Sequence, residues 1–134
     1  MNNLQQQNMV SALEYAKRAM VKPRLEVAQL QLLLHIGSQK DPKNMQELAA
    51  ALDVDGSFVS RNVKAFGQSG TGPQMLYPTI DYKSPKCRLV HMTAEGSAIL
   101  YTVVSVLGGS ESPSLPPALD KRRKQQTLAM NKRI

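Results

Sequence analysis

Residues 45–66 decide the fold of this chain, and they read Met45-Gln46-Glu47-Leu48-Ala49-Ala50-Ala51-Leu52-Asp53-Val54-Asp55-Gly56-Ser57-Phe58-Val59-Ser60-Arg61-Asn62-Val63-Lys64-Ala65-Phe66. Apolar side chains recur at helical spacing on both sides of residues 53–57. That short connection is rich in residues that cap helices, and Asp55 or Ser57 is predicted to accept hydrogen bonds from free N–H groups of the following turn. The stretch therefore predicts two short helices joined by a tight turn.

The second of these helices is predicted to have one polar, cationic face. Its apolar side consists of Phe58, Val59, Val63 and Phe66. The opposite side has the spacing i, i+3, i+4 and i+7, so its members project together away from the core: Ser57, Ser60, Arg61 and Lys64. The alternative interpretation of this face is the ordinary solvated side of an amphipathic helix.

Two further helices are predicted on the N-terminal side. The first has an apolar stripe of Met9, Leu13, Ala16 and Met20. The second is predicted over Leu25 to Ile36, with Pro23 suited to its first turn and Gly37 to its end. Residues 41–44, which are Asp-Pro-Lys-Asn, are predicted to form a turn.

A β-hairpin and a last helix are predicted on the C-terminal side, after a glycine-rich loop from Gly67 to Pro73. The predicted strands are Met75 to Tyr82 and Cys87 to Met92, with a basic tip at residues 83–86. Pro78 points to an edge position in the first strand. Thr93 is predicted to cap a helix whose apolar stripe is wide enough for two neighbours: Ile99, Leu100, Val103, Val104 and Leu107.

Four blocks in this order resemble the MarR family of winged-helix transcriptional regulators, and the resemblance covers roughly residues 25 to 107. The blocks are residues 25–30 (LEVAQL), 47–54 (ELAAALDV), 57–63 (SFVSRNV) and 89–96 (LVHMTAEG). The resemblance implies a mainly α fold with a small β-hairpin wing (α+β), a winged helix-turn-helix. The sequence departs from the family pattern at the wing, where Ser84-Pro85 replaces the usual Asp-Arg pair. It also departs in the loop from Gly67 to Pro73, which is longer than the family's.

The resemblance also implies which residues contact DNA. The helix from Ser57 to Phe66 would enter the major groove, with Arg61 donating two hydrogen bonds to guanine. Ser57 and Ser60 would contact phosphates or bases, and Lys64 would contact phosphate. The wing would add Lys83, Lys86 and Arg88, for which the alternative is a solvent-facing hairpin tip.

MarR-like proteins act as dimers through their first and last helices, which implies a homodimer that reads a pseudopalindrome. The predicted dimerisation residues come from the two apolar stripes. They are Met9, Leu13, Ala16, Met20, Ile99, Val103 and Leu107. A single winged domain that buries these stripes internally is the alternative.

Charge and composition define the domains and the class of partner. Residues 1–108 are predicted to form the winged helix-turn-helix domain, and residues 109–134 a Gly/Pro linker with a basic tail. The net charge of the 134-residue chain is +7, which favours a polyanionic partner. The tail clusters at 121–124 and 132–133 are expected either to grip DNA or to act as a disordered solubilising end.

Several chemistries have no support in the sequence. No signal peptide or membrane span is predicted, and the one cysteine, Cys87, excludes intramolecular disulfides and thiolate-rich zinc sites. His35 and His91 lack partners at metal-ligand spacing and are predicted to be structural. Cys87 is either a plain wing residue or a redox thiol. We therefore predict no metal, no cofactor and no enzymatic activity.

These observations together predict a cytoplasmic, homodimeric protein that binds double-stranded DNA sequence-specifically and represses transcription. One alternative is a winged-helix protein-interaction module, an adaptor or inhibitor of the transcription machinery. Another is a DNA-binding accessory of phage or plasmid replication or maintenance.

Overall fold

The computed structural model describes residues 2–68 and 70–109, so most of the predicted linker and the whole basic tail lie outside the described residues. This part of the chain forms five helices and three short strands. In order they are α1 (Asn3–Ala19), α2 (Val27–Ser38), β1 (Lys43–Asn44), α3 (Met45–Leu52), α4 (Gly56–Ala65), β2 (Leu76–Ile80), β3 (Arg88–Met92) and α5 (Ala94–Leu107). The predicted winged helix-turn-helix is confirmed by this order.

The three strands form one antiparallel sheet in the order β1-β3-β2. Pro78 lies in β2, an edge strand, as predicted, and faces Val90 of β3. The prediction of a turn at residues 41–44 is wrong in its second half, because Lys43 and Asn44 pair with Val90 and Leu89. A strand of two residues has no periodicity of its own, and only pairing with a distant segment creates it.

The helix ends follow the predicted chemistry at some positions and depart from it at others. The Thr93 hydroxyl accepts a hydrogen bond from the Gly96 N–H at 2.9 Å, which confirms it as the cap of α5. Asp55 occupies the N-cap position of α4, but its side chain makes no capping hydrogen bond, so that part of the prediction is wrong. The start predicted for α2 is also wrong, because Pro23 and Leu25 precede the helix.

The core lies between α5 and the helices packed on it, with the sheet closing one side. Helix α5 contacts both α1 and α2, which confirms the two neighbours predicted from its wide stripe. The helices, the strands and the residues beside them contribute side chains that are almost wholly buried. The largest of these are Phe66, Met20, Leu32, Leu33, Leu48, Met75, Leu76 and Ile99.

Four of the predicted dimerisation residues are internal to the single chain, which corrects their assignment to a surface seam. Ala16 and Met20 of α1 and Ile99 and Val103 of α5 are at most 1% exposed. The buried face of α1, which packs on α5, consists of Ala12, Tyr15 and Ala16. Met9 and Leu13 lie outside this face. Of the predicted seam, Met9, Leu13 and Leu107 remain on the surface, each about two-fifths exposed.

The first turn of α5 lies against the chain that leads into β2. A Cβ atom on Gly96 would lie 2.7 Å from the Met75 carbonyl oxygen, which is backbone and cannot swing aside. The same oxygen accepts a hydrogen bond from the Thr93 N–H at 2.9 Å. Only glycine fits at position 96 while this contact is kept.

Gly96→Ala is expected to lower the free energy of unfolding by ~1 to 3 kcal/mol, although alanine is the better helix former. The matched control is Gly56→Ala in α4, where a Cβ would meet nothing within 4 Å. Urea unfolding followed by circular dichroism measures both variants. Equal stability of the two would contradict the close approach of α5 to Met75.

Candidate nucleic-acid interface

The outer face of α4 brings the four predicted helix residues together on one surface. Ser57, Arg61 and Lys64 are exposed and Ser60 is half-buried. The Arg61 Nε donates to the Ser57 carbonyl oxygen at 3.3 Å, so this guanidinium lies back along its own helix. The two terminal guanidinium nitrogens carry four further N–H donors on this exposed side chain, which can serve an incoming acceptor.

The turn between α3 and α4 gives α4 its direction. Asp53 ends α3 in the left-handed conformation with φ of 54°, and its N–H and that of Val54 bond back to carbonyls of α3. Aspartate is one of the few residues that adopt this conformation at small cost. The chain therefore reverses within three residues, and Val59 and Val63 of α4 are buried in the core.

Asn62 is a structural residue of α4 that the sequence analysis did not single out. It lies on the inner side of the helix and is only 6% exposed. Its Oδ1 accepts from the Gln29 Nε2 of α2 at 2.9 Å, and its Nδ2 donates to the Phe58 carbonyl oxygen at 2.8 Å. A polar residue amid the apolar positions of an amphipathic helix was the signal that could have revealed it. This pair fixes the rotation of α4 relative to α2.

The tip of the β2–β3 hairpin, which we call the wing tip, comprises residues 81–87. Two backbone hydrogen bonds shape it, from Ser84 N–H to the Asp81 carbonyl at 3.1 Å and from Cys87 N–H to the Ser84 carbonyl at 2.8 Å. Lys83 and Lys86 are exposed on the tip, as is Arg88 at the start of β3. The three predicted cations therefore lie on one end of the hairpin.

Tyr82 also lies on the wing tip, and the sequence analysis missed it. It is 88% exposed, more than any other large apolar or aromatic side chain among the described residues. An aromatic ring next to Lys83 in a hairpin tip is the pattern that could have identified it. Its position gives the wing tip a flat apolar surface as well as cations.

The wing tip is attached to the start of α3 through buried polar groups. Asp81 and Asn44 are 6% and 8% exposed, and Asn44 Nδ2 donates to Asp81 Oδ2 at 3.1 Å. Asn44 also caps α3, since its Oδ1 accepts from the Glu47 N–H at 2.8 Å. The helix-turn-helix and the wing are therefore joined by a side-chain contact as well as by the chain itself.

His91 and Cys87 each lie next to a hydroxyl group of the hairpin. His91 Nε2 lies 2.6 Å from the Thr79 hydroxyl, and its ring stacks on Tyr77 with a centroid separation of 4.8 Å. Cys87 is buried, and the Ser84 hydroxyl lies 3.6 Å from its sulfur. Within residues 2–68 and 70–109, no group of three or more His, Cys, Asp or Glu side chains is placed to hold a metal ion. None of the described helices has the length and hydropathy to cross a bilayer.

Gln29→Ala is expected to lower the free energy of unfolding by ~1 to 3 kcal/mol, because it leaves the buried Asn62 Oδ1 without its donor. It also removes the Gln29 Oε1 that accepts from the Glu26 N–H at the start of α2, an exposed contact of smaller weight. The matched control is Gln31→Ala, since Gln31 is exposed on the same helix. That control is expected to change stability by less than ~0.5 kcal/mol. Chemical denaturation distinguishes them, and an equally small effect at both positions would contradict the role of the Gln29–Asn62 pair.

The fold is shared with solved structures of transcriptional regulators. A DNA complex of S. aureus MepR matches with a TM-score of 0.63 at 14% sequence identity, covering 95% of this chain and 90% of that one. A crystal structure of MarR matches with a TM-score of 0.54 at 17% identity, covering 96% and 95%. A MarR-family regulator from a Rhodococcus species matches with 0.54 at 16% identity, covering 93% and 87%. No protein-family model and no curated protein sequence matches the chain. At these identities the similarity concerns architecture: the chain has the winged helix-turn-helix fold of MarR-family regulators.

Proposed function

We propose that this protein binds double-stranded DNA sequence-specifically as a homodimer in the cytoplasm and represses transcription by occluding a promoter. The observation that carries the proposal is the outer face of α4, where Ser57, Arg61 and Lys64 are exposed on the second helix of a helix-turn-helix. MepR, whose fold is similar, is bound to DNA in its solved complex.

The chemistry of α4 fits the major groove. An α-helix is accommodated by the width of that groove, where each base pair presents a distinct set of donors and acceptors. Arg61 has the planar fork that donates two hydrogen bonds to guanine, and phosphate contacts suit Lys64 in the last turn of the helix. Ser57 and Ser60 are short enough to let the helix N-terminus approach the backbone.

The wing supplies the second contact in this proposal. Lys83, Lys86 and Arg88 are exposed around the wing tip, and their charge suits phosphates beside the groove that α4 enters. Ser84-Pro85 replaces the family's Asp-Arg pair, so the wing tip has lysines but no guanidinium group that could donate two hydrogen bonds to a base. We therefore assign the wing to phosphate contacts, which add affinity more than sequence preference.

The exposed large apolar side chains of α1 and α5 support the proposed dimer. Among residues 2–68 and 70–109, seven of the twelve exposed large hydrophobic side chains lie on α1 or α5. They are Leu4, Met9, Val10, Leu13, Tyr101, Val104 and Leu107. Such a concentration is typical of a surface that another copy covers, and a two-fold pair of α4 helices would read two half-sites about 34 Å apart.

A protein-interaction module is the second candidate function. Two departures from the MarR-family pattern favour it: the wing sequence and the long loop from Gly67 to Pro73. In that case the basic surfaces would contact an acidic protein partner. A role as an accessory of phage or plasmid replication would use the same DNA contacts and differ only in the output.

Selection from random duplexes is expected to enrich an inverted repeat, with an affinity that falls steeply as salt rises. On the selected site, Arg61→Ala is expected to lose ~1 to 3 kcal/mol of binding and to relax the preference at one base pair of each half-site. Gel-shift titrations of both proteins against single-base variants of the site measure both effects.

Arg18→Ala is the charge-matched control, because Arg18 is exposed on α1, outside the α4 face and the wing tip. It should leave base preference unchanged. No binding of any duplex at low salt would contradict the proposed function and favour the protein-interaction module, while unchanged binding by Arg61→Ala would remove its role in base contact.

Val104→Glu is expected to weaken self-association by about tenfold or more, ~1.4 kcal/mol, because the dimer would have to bury an unpaired carboxylate. Val104 is 53% exposed in the single chain, so the fold itself should tolerate glutamate. Val27→Glu is the control, since Val27 is 84% exposed and lies on α2. Size exclusion with light scattering over a dilution series reads the result, and an unaltered mass for Val104→Glu would place the dimer contact elsewhere.

A further inference from the structure

We propose that Asp81 is a positioning residue for DNA binding: its carboxylate locks the basic wing tip to the start of α3, although the residue itself contacts no DNA. The inference rests on the proposed function and deepens it. It assigns a role to a negatively charged side chain in a surface that is otherwise cationic.

The Asp81 carboxylate accepts one hydrogen bond from the cap residue of α3 and one from the wing tip. Its Oδ2 accepts from Asn44 Nδ2 at 3.1 Å, and its Oδ1 accepts from the Lys83 N–H at 3.1 Å. Its backbone carbonyl accepts from the Ser84 N–H at 3.1 Å. The residue therefore shapes the first half of the wing tip and ties it to a partner 37 positions away in sequence.

Asn44 is a fixed partner because Glu47 engages both its side-chain oxygen and its backbone N–H. Its Oδ1 accepts from the Glu47 N–H at 2.8 Å, and its own N–H donates to Glu47 Oε1 at 3.1 Å. It also pairs with Leu89 in the sheet. The amide cannot turn its oxygen toward Asp81 without giving up the cap of α3, so it offers Asp81 a donor only.

A wing tip without this lock would be held by its two strands alone. Strand β3 also pairs with β1, but the tip extends beyond Ile80 and Arg88, the last residues that β2 and β3 pair, so the sheet ladder does not reach it. Burying the Asp81 carboxylate costs folding free energy. Its negative charge also repels phosphate, so Asp81 cannot add to DNA affinity by direct electrostatic attraction. A fixed position for Lys83 and Lys86 offsets that cost, because cations held in place lose less freedom on binding.

Asp81→Asn tests the lock with almost no change of shape. Asparagine has one acceptor oxygen where aspartate has two, so either the Asn44 amide or the Lys83 N–H then faces another N–H group. The change also removes one negative charge, which by itself would strengthen DNA binding. Asp41→Asn is the control for charge, because Asp41 is exposed in the loop before β1.

The slope of log affinity against log salt is the readout that a mere loss of stability would leave unchanged. Each phosphate contact contributes about 0.9 to that slope, so release of a wing with three such contacts should lower it by roughly 2 to 3 per protomer, or about 5 for the proposed dimer. We expect this fall for Asp81→Asn and no fall for Asp41→Asn. Equal slopes for wild type and Asp81→Asn would overturn the inference while leaving the proposed function standing.

A double-mutant cycle asks whether Asp81 acts through the wing cations. In the background of Lys83→Ala, Lys86→Ala and Arg88→Ala, Asp81→Asn is expected to cause no further loss of affinity. The same fold-loss with and without the cations would show that Asp81 acts elsewhere, and would overturn the proposal.

Amide hydrogen exchange of the free protein gives a test that needs no DNA. Exchange at residues 82–88 should be faster in Asp81→Asn than in Asp41→Asn, with α1 and α5 unchanged. Unaltered exchange at the wing tip would contradict the lock directly. A wild-type protein that binds no duplex would contradict the proposed function, and with it any role of Asp81 in DNA binding.

Discussion

Burial of the inner face of α4 is the constraint on which the rest of the interface depends. Val59 and Val63 are at most 3% exposed, and once they are packed in the core the opposite positions must face outward. Packing alone leaves some freedom of rotation about the helix axis. The Gln29–Asn62 hydrogen bond restricts it, because the Asn62 side chain is buried and a rotation of α4 would separate it from its donor.

A second constraint connects the two parts of the surface. Asn44 caps α3 and also binds Asp81 at the base of the wing tip, so one side chain serves both the helix-turn-helix and the hairpin. The loop after α4 adds a backbone link, because the Phe66 carbonyl accepts hydrogen bonds from the N–H groups of Met75 and Leu76 at 2.7 and 3.0 Å. In our proposal the protein therefore presents α4 and the wing to DNA as one rigid unit.

The sequence predicts what depends on local patterns and misses what depends on distant contacts. Helical spacing placed α3, α4 and α5, and the Thr93 cap followed from local chemistry. Strand β1 was missed because its two residues become a strand only by pairing with β3. The four internal residues of the predicted seam were misassigned for a similar reason. A stripe of apolar residues does not specify whether it packs on another helix of the same chain or on another chain.

NMR titration of an inverted-repeat duplex into isotope-labelled protein tests the central claim most directly, because it maps the contact surface without any substitution. The account predicts that the largest shifts fall on the outer face of α4, residues 57–64, and on the wing tip, residues 81–87. Shifts confined to α1 and α5, or no shifts at low salt, would contradict it.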